Sequence, residues 1–223
     1  MERKIITTKD GSHSIEIPGL CVTYHSIHGA IQESKYVFID AGLNYILNNS
    51  AIQSLRIFEM GTGTGLNAFL TAIEAEKQKL RTHYTTVEQF PIKSEVVKLL
   101  NYPDILGHPD LFQTIHDSKW NEPVRINEYF TLNKIDIDFL SFSSSQHFNL
   151  VYYDAFAPGT QPELWTEEIF EKLFFMLEPN SVLVTYCCKG DVRRAMMAAG
   201  FIVKKLPGPP GKREILRAVK TNL

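Results

Sequence analysis

The chain has 223 residues, 44% of them hydrophobic and 22% charged, with a net charge of −2. That length and mix exclude a disordered, collagen-like or coiled-coil chain and fit one ordinary domain with at most a small appendage. A chain of this size buries about 70% of its unfolded surface and needs no disulfide or metal staple.

The first residues, Met1 to Gly11, hold no apolar core for a signal peptide, and no later run approaches the ~20 apolar residues of a membrane span. A cytoplasmic protein with no membrane partner is expected. Residues 1–27 read as a β-hairpin extension: strands over Lys4–Thr7, Ser14–Ile17 and Leu20–Tyr24, with an Asp10-Gly11 turn. His25 and His28 have no third ligand near them in the sequence and read as ordinary histidines. A helix is expected over Ala30–Leu47, with Gly42 as a point of interruption.

From there strands and helices alternate. Strands are expected at Leu55–Met60, Tyr84–Glu88, Tyr129–Ile135, Phe148–Tyr153, Ser181–Tyr186, Phe201–Leu206 and Glu214–Val219. Helices are expected at Leu66–Lys79, Ile92–Leu100 with Pro91 near its first turn, Glu167–Leu177 stopped by Pro179, and Asp191–Ala199 closed by Gly200. Asn101–Pro123 shows no period and reads as irregular. The three cysteines form no disulfide framework or zinc pattern; Cys187 and Cys188 read as small apolar groups in a strand. From Lys189 to Lys220, nine basic residues stand against Asp191 and Glu214, a net +7; with −2 overall, the preceding 188 residues carry −9. Such a run is either a solvated face or the electrostatic footprint of an anionic partner.

The alternation predicts an α/β fold for residues 28–223, a doubly wound and mostly parallel sheet with an antiparallel C-terminal strand. Chemistry in such sheets gathers beyond the carboxyl ends of the strands. The first core strand ends in Glu59-Met60-Gly61-Thr62-Gly63-Thr64-Gly65-Leu66-Asn67, between a strand and a helix whose free N–H groups face a ligand. No Gly-Lys-Ser/Thr follows, so this is no phosphate loop, and the dinucleotide spacing is missing, which discourages an NAD-dependent oxidoreductase. Glycines at every second position after an acidic residue resemble the first motif of S-adenosylmethionine-dependent methyltransferases, which have a Rossmann-like class I fold. Glu88, at the end of the second strand, can accept hydrogen bonds from ribose hydroxyls. Asp136, at the end of the third, could reach an adenine amino group, with Asp138 as its competitor. Asp154 ends the fourth strand, nearest the reactive methyl in such a fold, and a carboxylate emerging there is costly to bury without a partner. Phe156, Pro158 and Trp165 could wall a flat substrate.

Three segments extend the resemblance. Gly61 to Asn67, followed by Val87-Glu88-Gln89-Phe90-Pro91, is similar to one motif of the MnmC-type methyltransferase module, which completes methylaminomethyl modification of the tRNA wobble uridine. Asp154-Ala155-Phe156-Ala157-Pro158 through Pro162 and Trp165 is similar to a second. Val192-Arg193-Arg194, Ala199-Gly200-Phe201 and Gly211-Lys212-Arg213-Glu214 are similar to a third. Gln161 stands where an asparagine is common, and Pro209-Pro210 sits in the basic loop.

The resemblance implies S-adenosyl-L-methionine held by Glu59, Gly61, Thr62, Gly63, Gly65, Asn67, Glu88, Gln89 and Asp136, with no metal. It implies Asp154 as the catalytic residue beside an acceptor amine, and Phe156, Pro158, Trp165, Lys212 and Arg213 on the substrate side. It implies a tRNA anticodon stem-loop as partner, converted from 5-aminomethyl(-2-thio)uridine to 5-methylaminomethyl(-2-thio)uridine. Bifunctional members carry a flavin-dependent oxidoreductase module after the methyltransferase; with the sequence ending at Leu223, a separate protein supplying the aminomethyl intermediate is expected. The competing readings are an N-methyltransferase of a small-molecule or protein amine, and a non-catalytic binding module, against which Asp154 argues.

Overall fold

Three short strands open the chain: β1 (Lys4–Thr7), β2 (His13–Ile17) and β3 (Val22–Thr23), paired in that order as one antiparallel sheet. The turn between β1 and β2 serves the next element. Asp10 Oδ1 accepts from the Thr8 hydroxyl at 2.7 Å and the Ser12 N–H at 3.0 Å, and its Oδ2 accepts from the Gln32 N–H at 3.0 Å. The Ser12 hydroxyl accepts from the N–H groups of Ala30 and Ile31, both at 3.2 Å. These are the orphan donors at the start of helix α1 (Ala30–Ser34). The helix continues as wider π-type turns through Lys35–Asn44 and ends in α2 (Tyr45–Asn49). The expected single helix is therefore one rod with a widened middle. Gly42 does not interrupt it. A Cβ there would stand 3.0 Å from Val184 Cγ2 and 3.2 Å from Tyr152 Cε1, so glycine lets the rod lie close on the sheet.

The computed structural model describes residues 2–221, so Met1 and Leu223, the outer limits of the two expected segments, lie outside the described residues. The main sheet begins with β4 (Ser54–Met60), α3 (Leu66–Gln78) and β5 (Arg81–Glu88). Three short helices follow, α4 (Ser94–Val97), α5 (Tyr102–Leu106) and α6 (Pro109–Asp117), then β6 (Pro123–Arg125), β7 (Phe130–Asp136) and β8 (Phe148–Tyr153). The chain closes with α7 (Glu167–Met176), β9 (Leu177–Thr185), α8 (Gly190–Ala198), β10 (Ile202–Pro207) and β11 (Glu214–Val219). The strand order is β10-β11-β9-β8-β4-β5-β7-β6, with β4, β5, β7, β8 and β9 parallel. β11 lies antiparallel between β9 and β10, and β6 antiparallel on β7. The helical rod, α3 and α6 pack one face of the sheet, and α7 and α8 the other. This is the Rossmann-like α/β fold. Strand order reverses between β4 and β8, which is where such sheets open a ligand crevice.

Several elements differ from expectation. Asn101–Pro123 is not irregular: it holds α5 and α6 and reaches the first residue of β6; Pro103 and Pro109, which hid the helices, sit in their first turns, where a missing N–H is harmless. The helix expected over Ile92–Leu100 shrinks to α4. Pro179 lies inside β9 rather than beyond a helix. Pairing jumps from Phe148↔Leu177 to Leu150↔Val182, and this bulge takes up the proline and Asn180, whose φ is 61°. Cys187 and Cys188 fall in the loop after β9, not in a strand, with Cys187 buried.

Candidate active site

The turn after β4 is tied to the neighbouring strand. Gly61 and Thr62 donate their N–H groups to Val87 O at 3.1 and 3.3 Å. Gly61 has φ 87°, a left-handed conformation that disfavours a side chain, and a Cβ there would stand 3.1 Å from the carbonyl oxygen of Asp154. Glu88 closes the turn: its Oε2 accepts from Gly63 N–H at 3.1 Å and its Oε1 from Phe90 N–H at 2.9 Å.

A cavity of about 910 Å³ opens over this turn. It brings together Gly61, Thr62, Gly63, Asn67, Glu88, Gln89, Asp154, Phe156 and Lys212 of the expected site. The remaining expected residues lie elsewhere. Glu59 is fully buried beneath the turn, and Gly65 faces away toward His116. Asp136 is exposed at the end of β7, one pleat away from the cavity; Asp138, its competitor, lines the wall and caps a short helical turn through the Leu140 N–H at 3.0 Å. Trp165 is buried behind the wall, where its Nε1 donates to Phe156 O at 2.8 Å. It fixes Phe156 rather than touching the cavity. Pro158 is half-buried outside the lining, and Arg213 is exposed beside Lys212. Gln161, the departure from the family's asparagine, accepts from Phe156 N–H at 3.0 Å.

Asp154 emerges from β8 at the reversal of strand order. Its Oδ2 accepts from Asn67 Nδ2 at 2.9 Å, while Asn67 Oδ1 is buried without a partner. Burial pushes the Asp154 carboxyl up to about 7, helped by the charge of Glu33 and opposed by the Asn67 hydrogen bond and Lys212. Burial, then the charge of Asp154, pushes Glu59 up to about 8. Both oxygens of Glu59 lack a bonded partner, which a neutral carboxyl tolerates far better than an ion. Glu33, only 7% exposed, meets Lys212 Nζ at 2.5 Å and accepts from Ser26 N–H at 2.7 Å. Lys212 also stands 3.9 Å from the centroid of the Tyr186 ring, and the Tyr186 hydroxyl donates to Ala155 O at 2.9 Å.

Sequence reasoning missed Tyr24, His25, Glu33 and Tyr186, all of which line this cavity. His25 Nε2 lies 2.7 Å from Thr64 Oγ1, and burial pushes the ring down to about 4, so it is neutral near pH 7. His25 had been read as an ordinary histidine, and no local spacing marked the others, because the segment after β3, α1 and the loop after β9 deliver them from separate parts of the chain. Among the described residues no cluster of His, Cys, Asp and Glu could hold a metal ion, and no helix is long and apolar enough to cross a membrane.

Comparison with known proteins agrees with this fold. A family model described as S-adenosyl-L-methionine-dependent methyltransferase matches residues 114–221. The tRNA 5-methylaminomethyl-2-thiouridine biosynthesis bifunctional protein MnmC of Pseudomonas fluorescens is 33% identical over 87% of the chain and 31% of its own length. The protein of the same name from Leptospira borgpetersenii is 30% identical over 89% of the chain and 32% of its own. The chain thus spans about a third of the length of the curated relatives it matches. The crystal structure of MNMC2 from Aquifex aeolicus superposes with a TM-score of 0.80 over 99% of the chain and 71% of that protein, at 24% identity, a likeness of fold.

Proposed function

We propose that the chain is an S-adenosyl-L-methionine-dependent methyltransferase of the MnmC-type group and that it methylates the primary amine of a 5-aminomethyl(-2-thio)uridine at the tRNA wobble position. The observation that carries the reading is Asp154, held by Asn67 where the strand order reverses, within the same cavity as the Gly61 turn and Glu88.

S-adenosyl-L-methionine supplies a methyl group on a sulfonium, an intrinsically good leaving group. The residues present suit it. Gly61, Thr62 and Gly63 offer close backbone approach. The Glu88 carboxylate offers acceptors for hydroxyls, the unpaired Asn67 Oδ1 one for an ammonium, and Gln89 and Asp138 lie further along the wall. Gly65 shapes the turn and Glu59 underlies it.

The chain's own work is to hold the acceptor in line and manage its proton. Asp154 accepts an N–H of the amine, orients its lone pair, and takes or relays to water the proton the nitrogen sheds. A carboxylate beside an amine also favours the ammonium form, which cannot attack. The raised proton affinity of Asp154 reduces that conflict, because an acid of pKa about 7 can take the ammonium proton at little cost near neutral pH. Phe156 gives the amine's ring an apolar wall. Arg213, with Lys189 nearby in sequence to Tyr186, supplies phosphate attraction, while Lys212 is held at the cavity edge by Glu33. The anticodon stem-loop is the part of tRNA that carries this nucleoside, the cytoplasm is where it is met, and a separate reaction must leave the primary amine on the uridine.

The test is nucleoside mass analysis of tRNA from cells that stop at the aminomethyl stage, after incubation with the protein and S-adenosyl-L-methionine. One added methyl on the wobble uridine is expected. No gain with cofactor binding intact would move the acceptor to a small-molecule or protein amine; no cofactor binding would overturn the reading of the Gly61 turn as well.

A further inference from the structure

The roof of the cavity comes from the far end of the chain. Arg3, just before β1, donates to Phe90 O at 2.6 Å and Pro91 O at 3.1 Å, fastening the N-terminal sheet across the turn that follows Glu88. The segment after β3 is fastened too: Tyr24 N–H donates to Ile15 O at 2.9 Å, His25 N–H to Ser14 Oγ at 3.0 Å, and Thr23 Oγ1 to His25 O at 2.7 Å. His25 then reaches Thr64 in the glycine turn. Backbone and neighbours on both sides therefore fix where the Tyr24 ring sits.

That ring touches both halves of the site. On one side it lies against Gly63, where a Cβ would stand 3.2 Å from Tyr24 Cδ1. On the other it meets Phe156, two residues past Asp154, with ring centroids 5.3 Å apart and planes at 79°. Two rings at nearly a right angle make a corner rather than a sandwich. A flat ring can lie face-on against one of them while its edge meets the other, an arrangement aromatic groups favour. An aliphatic amine has no face to offer there.

We propose that Tyr24 is a specificity-determining residue, forming with Phe156 an aromatic corner that seats the acceptor's pyrimidine ring and so selects an amine borne on a planar base over an aliphatic amine. This rests on the reading that the acceptor is a modified uridine. The corner acts through a ring face, so the Tyr24 hydroxyl is dispensable and the ring is not.

The experiment is steady-state methylation of tRNA carrying 5-aminomethyl-2-thiouridine by the wild type, Tyr24→Phe and Tyr24→Leu, with S-adenosyl-L-methionine affinity measured by calorimetry. Tyr24→Leu keeps apolar bulk against Gly63. It is expected to lower kcat/KM for tRNA about ten-fold or more through KM, the scale of one lost base stack, with cofactor affinity within about three-fold of wild type. Tyr24→Phe should stay within about two-fold on both measures. Phe156→Leu tests the corner from its other wall and should show the same KM loss, which covers the case of a Tyr24→Leu protein that fails to fold. Unchanged tRNA kinetics in the leucine variants, or a parallel loss of cofactor affinity in Tyr24→Leu, would overturn the assignment. A wild-type protein that binds cofactor and leaves this tRNA unmethylated would instead overturn the substrate reading, and the corner with it.

Discussion

Asp154 and Glu59 stand at the ends of neighbouring strands of the sheet, and the charge of Asp154 raises the proton affinity of Glu59. If Asp154 receives the amine's proton, Asp154→Asn should bind S-adenosyl-L-methionine normally and lose about 10²-fold or more in single-turnover rate, the usual range for a lost acid–base group. Wild-type turnover in that variant would remove Asp154 from the chemistry. The rate should rise with pH through about 7, where Asp154 gives up its proton. Burial is the main cause of that value, but the charge of Glu33 adds to it, so Glu33→Gln should move the rise to lower pH; a rise that stays in place would show that Glu33 does not act on Asp154. Glu59 carries a stability consequence. Its carboxyl lies near 4.5 in an unfolded chain and about 8 when buried, so the folded state holds the extra proton between those values. Stability conferred by that proton is present at low pH and falls as pH rises from about 4.5 to about 8. Glu59→Gln should flatten this fall in denaturant midpoints measured across that window.

The elements that sequence revealed are those whose environment is uniform along their length. The carboxyl-end halves of β4 and β8, and β9 from Ser181 to Thr185, are buried on both faces and read as largely apolar runs, and the Gly61 turn was visible because it follows one of them. α5 and α6 escaped notice because they are short, 5 and 9 residues, and open with prolines that also mark loops. Asp136 and Asp138 show the limit at a strand end: two residues decide which carboxylate faces the cavity, and the boundary of β7 is not written in its composition. Tyr24, Glu33 and Tyr186 enter the site from three separate elements, which no spacing rule could join. The Asp10-Gly11 turn was legible as a turn, but its service as a cap for α1 depends on a tertiary contact. Asp10→Ala should cost about 1–2 kcal/mol by denaturant unfolding, since it strips acceptors from Thr8, Ser12 and the Gln32 N–H together. Burial raises the Asp10 carboxyl, but hydrogen bonds from Ser12, Gln32 and Thr8 outweigh it and leave it below its ordinary 3.8. Its contribution is present above that value and is lost as pH falls below it, so the variant and the wild type should converge in strong acid.

At the scale of the molecule, the net +7 of the last segment is not all available to a partner. Arg217 stacks 3.4 Å over the Tyr45 ring, and Lys220 donates to Phe174 O at 2.9 Å and Leu177 O at 2.7 Å, closing the end of α7. Arg194 pairs with Asp191, Lys205 with Glu214 and Lys212 with Glu33. Lys189, Lys204 and Arg213 are exposed and make no side-chain hydrogen bond or ion pair among the described residues. Topology sorts these three. β11 runs antiparallel beside β9 with Leu216 opposite Thr185, so the β10–β11 turn carrying Arg213 and the loop carrying Lys189 both emerge at the cavity end of the sheet. Lys204 lies within β10, opposite Arg217 and three residues short of the turn, roughly 10 Å from it along the strand. An RNA seated at the cavity should therefore meet Lys189 and Arg213 and not Lys204. Binding of tRNA should weaken steeply with salt, and Lys189→Ala with Arg213→Ala should lower the slope of log affinity against log salt by about 1–2, one released counterion per lost phosphate contact. Lys204→Ala should leave the slope unchanged. Equal effects from all three would mean a diffuse basic surface with no register on the cavity, whereas no salt dependence at all would return the basic segment to a solvated face and favour an acceptor without a phosphate backbone.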